Sequence, residues 1–211
     1  MHYEKQKQSV LNYWKLLTRT GENFNNKNIV FIRGIVKDMY YIGNNRYETT
    51  ISVMRPNNKE DLLKVRFRPS KHTASILEGS KIEIIGKYLC DDGENDDGNP
   101  CKQMFIFAKY VRVMDFDEEL IYDNLCIIEG QIIERPFYRI TPSNEKIIDI
   151  TLDIIGSSKY PIPCIAWKSI AEELDAVEPG TRVKILGSIH SKYNPFREKH
   201  EVNIRSLRFI F

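Results

Sequence analysis

No apolar run in the 211-residue chain is long enough to cross a bilayer, and the N-terminal Met-His-Tyr-Glu-Lys-Gln-Lys-Gln lacks the apolar core of a signal peptide. Those absences argue against membrane insertion and secretion and give the expectation of a cytoplasmic protein. Cysteine is scarce. The four present, Cys90, Cys101, Cys126 and Cys164, form no C-x-x-C pair, so structural zinc is not expected. Cys126 and Cys164 fall in apolar stretches as small core residues. Cys90 and Cys101 flank one hairpin loop and are placed to face each other across it, as thiols in a reducing compartment. G-x-S-x-G, Walker and H-E-x-x-H signatures are missing, and no histidine–cysteine cluster has metal spacing. The reading is a non-enzymatic protein without cofactor or metal. Net charge is also slight, at +2. That total neither demands nor excludes nucleic acid, because a local patch outweighs the sum.

What the chain does have is a core-forming composition, 42% hydrophobic and 28% charged, and a repeat. Asn28-Ile-Val-Phe-Ile-Arg-Gly34 resembles Asn124-Leu-Cys-Ile-Ile-Glu-Gly130, an offset of 130 − 34 = 96 residues. Further on, Gly79-Ser-Lys-Ile-Glu-Ile-Ile-Gly86 resembles Gly180-Thr-Arg-Val-Lys-Ile-Leu-Gly187, an offset of 187 − 86 = 101. Each unit closes on a strand-like run, 104–113 and 201–210. Recurrent glycines in matching strand contexts suit small barrels whose strands must bend or bulge. In the second unit a strand ending on Trp167, a short helix, a strand after Pro179-Gly180 and a last strand follow the second half of a five-stranded OB barrel. The expected architecture is all-β, two tandem OB-fold barrels over 28–114 and 124–211, joined by an acidic linker at 115–123. Val10, Tyr13, Trp14 and Leu17 at helical spacing add a short N-terminal helix within a leading segment, 1–27.

Charge and aromatics are distributed unevenly. In the first unit Leu63, Val65 and Phe67 alternate with Lys64, Arg66 and Arg68, a row of cations that suits a phosphate backbone and that Lys71 and His72 extend. A solvated edge kept charged against aggregation is the other reading of that row. The loop from Cys90 to Asn99 carries five carboxylates and would repel phosphate; it reads as a solvated hairpin, without the spacing of an EF-hand. In the second unit Asp149 and Asp153 stand about 13 Å apart along one strand, too far to share a metal ion. His190 and His200 approach across two strands without a third ligand. The binding candidates are Phe137, Tyr138, Arg139, Trp167, Lys168, Lys192, Tyr193, Phe196 and Arg197, where exposed rings would stack on bases and cations would follow phosphates. Trp167 and Tyr138 are equally open to a core role.

At those residues the sequence resembles the bacterial single-stranded DNA-binding protein family. The carriers are Gly130 with Arg135-Pro-Phe-Tyr-Arg-Ile-Thr-Pro142, Asp149-Ile-Thr-Leu152, Ile165-Ala-Trp-Lys-Ser-Ile-Ala-Glu172 and Gly187-Ser-Ile-His-Ser-Lys-Tyr193. Tyr138-Arg-Ile-Thr-Pro142 and Tyr160-Pro-Ile-Pro-Cys-Ile-Ala-Trp167 are closer still to the two-barrel form found in low-GC Gram-positive bacteria, their phages and plasmids. The resemblance implies an OB fold, non-sequence-specific binding of single-stranded DNA, and base-stacking roles for Trp167 and Tyr193. The hypothesis built on it is service in replication, recombination or phage or plasmid DNA transfer, with single-stranded DNA as partner and replication or recombination proteins and a second copy of the chain as further candidates. Lys168 stands where the family often has glycine, and the chain ends on Arg208-Phe-Ile-Phe211 without the family's acidic tail. The rival reading is an OB-fold interaction scaffold that binds no DNA.

Overall fold

The structure, a computed structural model, describes residues 28–70, 73–94, 98–154, 158–194 and 197–210, with backbone alone at 94, 193–194 and 197–199. The helix expected within 1–27 lies outside the described residues. Alternating, β-branched runs broken by Asn, Gly and Pro turns form strands throughout. The first half holds β1 (Asn28–Val36), β2 (Tyr40–Tyr41), β3 (Tyr47–Met54), β4 (Glu60–Phe67), β5 (Lys81–Glu94) and β6 (Pro100–Val113). The second holds β7 (Asp123–Ile132), β8 (Phe137–Ile140), β9 (Lys146–Asp153), β10 (Ile162–Trp167), helix α1 (Lys168–Asp175), β11 (Arg182–Asn194) and β12 (Arg197–Ile210).

In each half the pairings close a circle of five strands. β1 pairs with β3, β3 with β4, β4 with β6, β6 with β5 and β5 with β1 again. The second circle runs β7, β9, β10, β12, β11 and back to β7. Only β4–β6 and β10–β12 are parallel among these, which is the OB arrangement the sequence pattern anticipates. Inside sit alternate residues of every strand, including Val30, Ile32, Leu63 and Val65 in one half and Ile148, Ile150, Leu152 and Cys164 in the other. Each such aliphatic side chain contributes roughly 1.5–3 kcal/mol of burial. α1 closes the second barrel with Ala171 and Leu174, both buried and one turn apart.

Two kinds of glycine serve the closure. Gly86 and Gly187 sit at register shifts in β5–β6 and β11–β12, as the bulge argument requires. Gly34 and Gly130 lie at no such shift. Close approach is what they share with Gly86 and Gly187: a Cβ on Gly130 would sit 2.7 Å from the Asp153 carbonyl oxygen, and one on Gly34 would strike the Ser52 carbonyl.

The duplication extends to single hydrogen bonds. Asn28 Nδ2 donates to the Tyr88 carbonyl at 2.8 Å while the Tyr88 N–H donates to Asn28 Oδ1 at 2.9 Å. Asn124 makes the same pair with Ile189, at 2.6 and 2.9 Å. The two offsets found in the sequence, 96 and 101, map one pair onto the other. They also show how the barrels meet. β1 and β7 pair antiparallel, with Asn28 opposite Ile128, Ile32 opposite Asn124, and Val30 opposite Cys126. Since 28 + 96 = 124, 32 + 96 = 128 and 30 + 96 = 126, each half presents the same surface to the other. The relation is a local two-fold centred on the Val30–Cys126 pair, the form an isologous dimer takes. The resulting strand order, β2-β3-β4-β6-β5-β1-β7-β11-β12-β10-β9-β8, reads the same from either end once the offsets are applied.

Long arms reinforce the contact. The β5–β6 hairpin of the first half reaches the second, where the Cys90 N–H donates to Ser158 Oγ at 2.8 Å and the Tyr160 N–H donates to the Cys90 carbonyl at 3.2 Å. The β11–β12 hairpin reaches back. There the Ser191 N–H donates to Asp61 Oδ1 at 2.8 Å, and the Leu62 N–H donates to Ser191 Oγ at 2.9 Å. Asp61 is fully buried and its charge is balanced by Arg55, whose Nε donates to Oδ2 at 2.7 Å. The facing of Cys90 and Cys101 expected from their hairpin does not occur. Glu94 opposes Pro100 at the tip, so Cys90 falls opposite Met104 and Cys101 opposite Gly93, and all four cysteines are free.

Candidate nucleic-acid interface

The loop 135–144 of the second half is not wholly irregular. Its middle forms β8, which pairs with β9 and turns successive side chains to opposite sides. Tyr138, opposite Ile148, points inward and packs part-buried against the core. Phe137 points out and is 64% exposed. Of the two adjacent aromatics, Phe137 therefore presents the freer ring. Arg139 shares its outward face and stands opposite Ile147, which on its other side stands opposite Trp167 at the end of β10. Two strand spacings place Arg139 and Trp167 about 10 Å apart on one outer surface. Trp167 is 37% exposed, half-covered rather than sealed.

Both cations beside these rings have acidic neighbours. Arg139 Nε donates to Asp149 Oδ2 at 2.8 Å, which pushes the guanidinium pKa above its ordinary value. Lys168 Nζ lies 3.5 Å from Glu145 and keeps 72% of its side chain exposed. Such exposed pairs are worth about 0–1 kcal/mol, so a phosphate can replace the carboxylate. Lys168 opens α1 with φ of 55°, a left-handed conformation suited to glycine.

The remaining candidates divide. Lys192 is half-exposed and ion-paired with the buried Glu201. The side chains of Tyr193 and Arg197, and Phe196 altogether, lie outside the described residues, as do Lys71 and His72. On β4, Lys64, Arg66 and Arg68 alternate with the buried Leu63, Val65 and Phe67 as expected. Arg66 is nonetheless well occupied. It donates to Glu48 at 2.6 Å and to Gln103 at 2.7 Å, and its guanidinium lies 4.0 Å from the centre of the Phe105 ring. Arg68 is exposed and Lys64 part-buried. The fold brings the start of this strand to the second barrel's arm, because Ser191, next to Lys192, bonds Asp61 and Leu62, two to three residues before Lys64. His190 and His200 do not converge: His190 meets Ser188 Oγ at 3.0 Å and His200 meets the Leu62 carbonyl at 3.0 Å.

One pair escaped the sequence reading. Tyr40 and Tyr41, each 62% exposed, form β2, the counterpart of β8 at the opposite end of the strand order. Tyr40 opposes Glu48 as Phe137 opposes Asp149. Laying the loop 38–45 over 135–144 by the internal repeat would have found them.

No protein-family model matches the chain, and none of the curated proteins matches it. Among solved structures it is similar to the wild-type single-stranded DNA binding protein from Thermus aquaticus, with a TM-score of 0.72 and 17% identity over 87% of this chain and 93% of that one. A deletion variant of the same Thermus aquaticus protein that carries an arginine-to-alanine change gives 0.71 and 18%, over 87% and 94%. At that identity the likeness shows a shared fold: this chain is built of OB-type barrels.

Proposed function

We propose that the chain binds single-stranded DNA without sequence preference, through the outer surface of β8, β9 and β10. The observation that carries this is Trp167, a tryptophan left 37% exposed on a strand end, with exposed Phe137 and Arg139 two strands away and Lys168 next to it in the chain. A half-open ring among cations is what unpaired bases and their phosphates require. The fold shared with the Thermus aquaticus protein supports the reading but does not by itself imply it. From the sequence we also assign Tyr193, Phe196 and Arg197 to DNA contact, together with Lys192 and the Lys64, Arg66 and Arg68 row. On this reading the chain takes part in replication, recombination or DNA transfer, with residues 28–114 and 124–211 as its two barrel domains, 115–123 joining them, and proteins of those processes as further partners.

Titration with oligo-dT, followed by tryptophan fluorescence in a Trp14→Phe background, tests it. Binding should quench Trp167 and weaken linearly in log–log terms as salt rises, from counterion release. Trp167→Ala, followed by anisotropy of labelled oligonucleotide, should lose about 1–3 kcal/mol of binding, roughly 5- to 150-fold. Unquenched fluorescence with unchanged affinity in the variant would place the contact elsewhere.

A further inference from the structure

In the acidic hairpin that the sequence pattern reads as solvated, the described carboxylates Asp91 and Asp92 are exposed and also paired. Asp92 on β5 is opposite Lys102 on β6, and both face the segment 158–160 of the second half. There the Tyr160 hydroxyl donates to Asp92 Oδ1 at 2.6 Å, and Lys159 donates to the other carboxylate oxygen. Lys102 Nζ lies 4.5 Å and Lys159 Nζ 5.5 Å from the centre of the Tyr160 ring. Asp91 Oδ1 is 3.8 Å from Lys159. A tyrosine ring with two ammonium groups within reach, its hydroxyl and one ammonium each holding one oxygen of an anionic group, has the parts of a base-and-phosphate contact. The anion it grips is a carboxylate of the same chain.

The repeat sharpens this. By the 101-residue offset, Asp92 occupies the position of Tyr193 in the other arm, so one arm carries an acid where its twin carries an aromatic. The side chains of Asp92 and Lys159 are 62% and 54% exposed. Their pairing is thus in reach of solvent and open to exchange, while the arm itself is held by the Ser158 hydroxyl on the Cys90 backbone and by the Tyr160 N–H donating to the Cys90 carbonyl.

We propose that Lys102, Lys159 and Tyr160 form a second contact for single-stranded DNA, and that Asp92 closes it until a phosphate displaces the carboxylate. The proposal rests on the DNA-binding function above. It gives the first half's acidic arm a role as an internal competitor: a strand occupies the contact when its local phosphate concentration outcompetes a tethered carboxylate.

Anisotropy titrations of the full chain with labelled oligo-dT across a salt series test it, using Asp92→Asn, Lys159→Met, the two combined, and Asp117→Asn. The last changes net charge equally in the exposed connection between the halves. Asp92→Asn should tighten binding about fivefold at low salt and steepen the log–log salt slope by about 0.7 for the phosphate newly paired. Lys159→Met alone should change affinity little, since its charge is already engaged, but should abolish the gain in the combined variant. A gain no larger than that of Asp117→Asn, or one that survives the loss of Lys159, overturns the proposal while wild-type binding stands. Absence of wild-type binding at every salt concentration would overturn the functional reading and this proposal together. Matching melting curves for all variants establish that each is folded.

Discussion

At Lys168 the backbone adopts a conformation that an L-residue holds at a cost of about 1–2 kcal/mol, yet the position carries a side chain. Lys168→Gly should therefore raise unfolding stability by about 1 kcal/mol, read from urea denaturation midpoints. If Lys168 meets phosphate as proposed, the same change should weaken oligo-dT binding and flatten its salt dependence. Stability and binding would then move in opposite directions. Nothing in the residues around Lys168 announces this conformation; the dihedral angle does. The neighbouring aromatics show how far residue identity reaches. Phe137 and Tyr138 are adjacent and similar in size, so composition cannot choose between them. The choice is made by β8 pairing with β9, since side chains on a strand alternate and one of two neighbours must turn inward. Arg66 is the same lesson from the other side. Its place on the outer face was legible from alternation, but its bonds to Glu48 and Gln103 come from other strands.

Among the elements, long strands announced themselves and short ones did not. β3, β4 and β9 alternate over eight residues each, whereas β2 and β8 have two and four, too few for a period to register. The arms were legible as hairpins but not as bridges, because nothing in a hairpin's own sequence names the surface it will reach. Burial of a histidine on the β11 arm should make folding stability depend on pH. His190, on β11 beside the Arg55–Asp61 pair, is pulled down to about 4, chiefly by burial, against a partial opposing pull from Asp61. The unfolded chain accepts a proton near pH 6.5 that the folded protein refuses until about pH 4. Unfolding thus takes up a proton between those values. The stability associated with a neutral His190 is intact above about pH 6.5 and declines toward pH 4, by on the order of 3 kcal/mol. Urea midpoints at neutral and acid pH should fall less in His190→Gln than in the wild type. Equal falls would mean that other groups account for the acid response.

For the whole molecule, the doubling could be read from the recurring glycines, while the way the halves join could not. One hint was available: Ile29-Val-Phe-Ile32 is an unbroken apolar run, as expected of a strand covered on both sides, and β1 is buried almost throughout. The pairing of β1 with β7 and the exchange of arms make each half part of the other's structure. Scanning calorimetry should accordingly give a single transition whose calorimetric and van't Hoff enthalpies agree. Two resolved transitions would show the halves to be independent folding units. The local two-fold has a further consequence for any ligand that crosses both halves. A nucleic-acid strand has a chemical direction, running from one distinct end to the other, whereas rotation by half a circle reverses direction. A strand that keeps its heading while passing from one barrel to its twin meets corresponding residues in opposite order, unless it doubles back. Recognition tuned to one heading would be undone on the other side of the axis, so such a surface favours contacts every nucleotide offers facing either way.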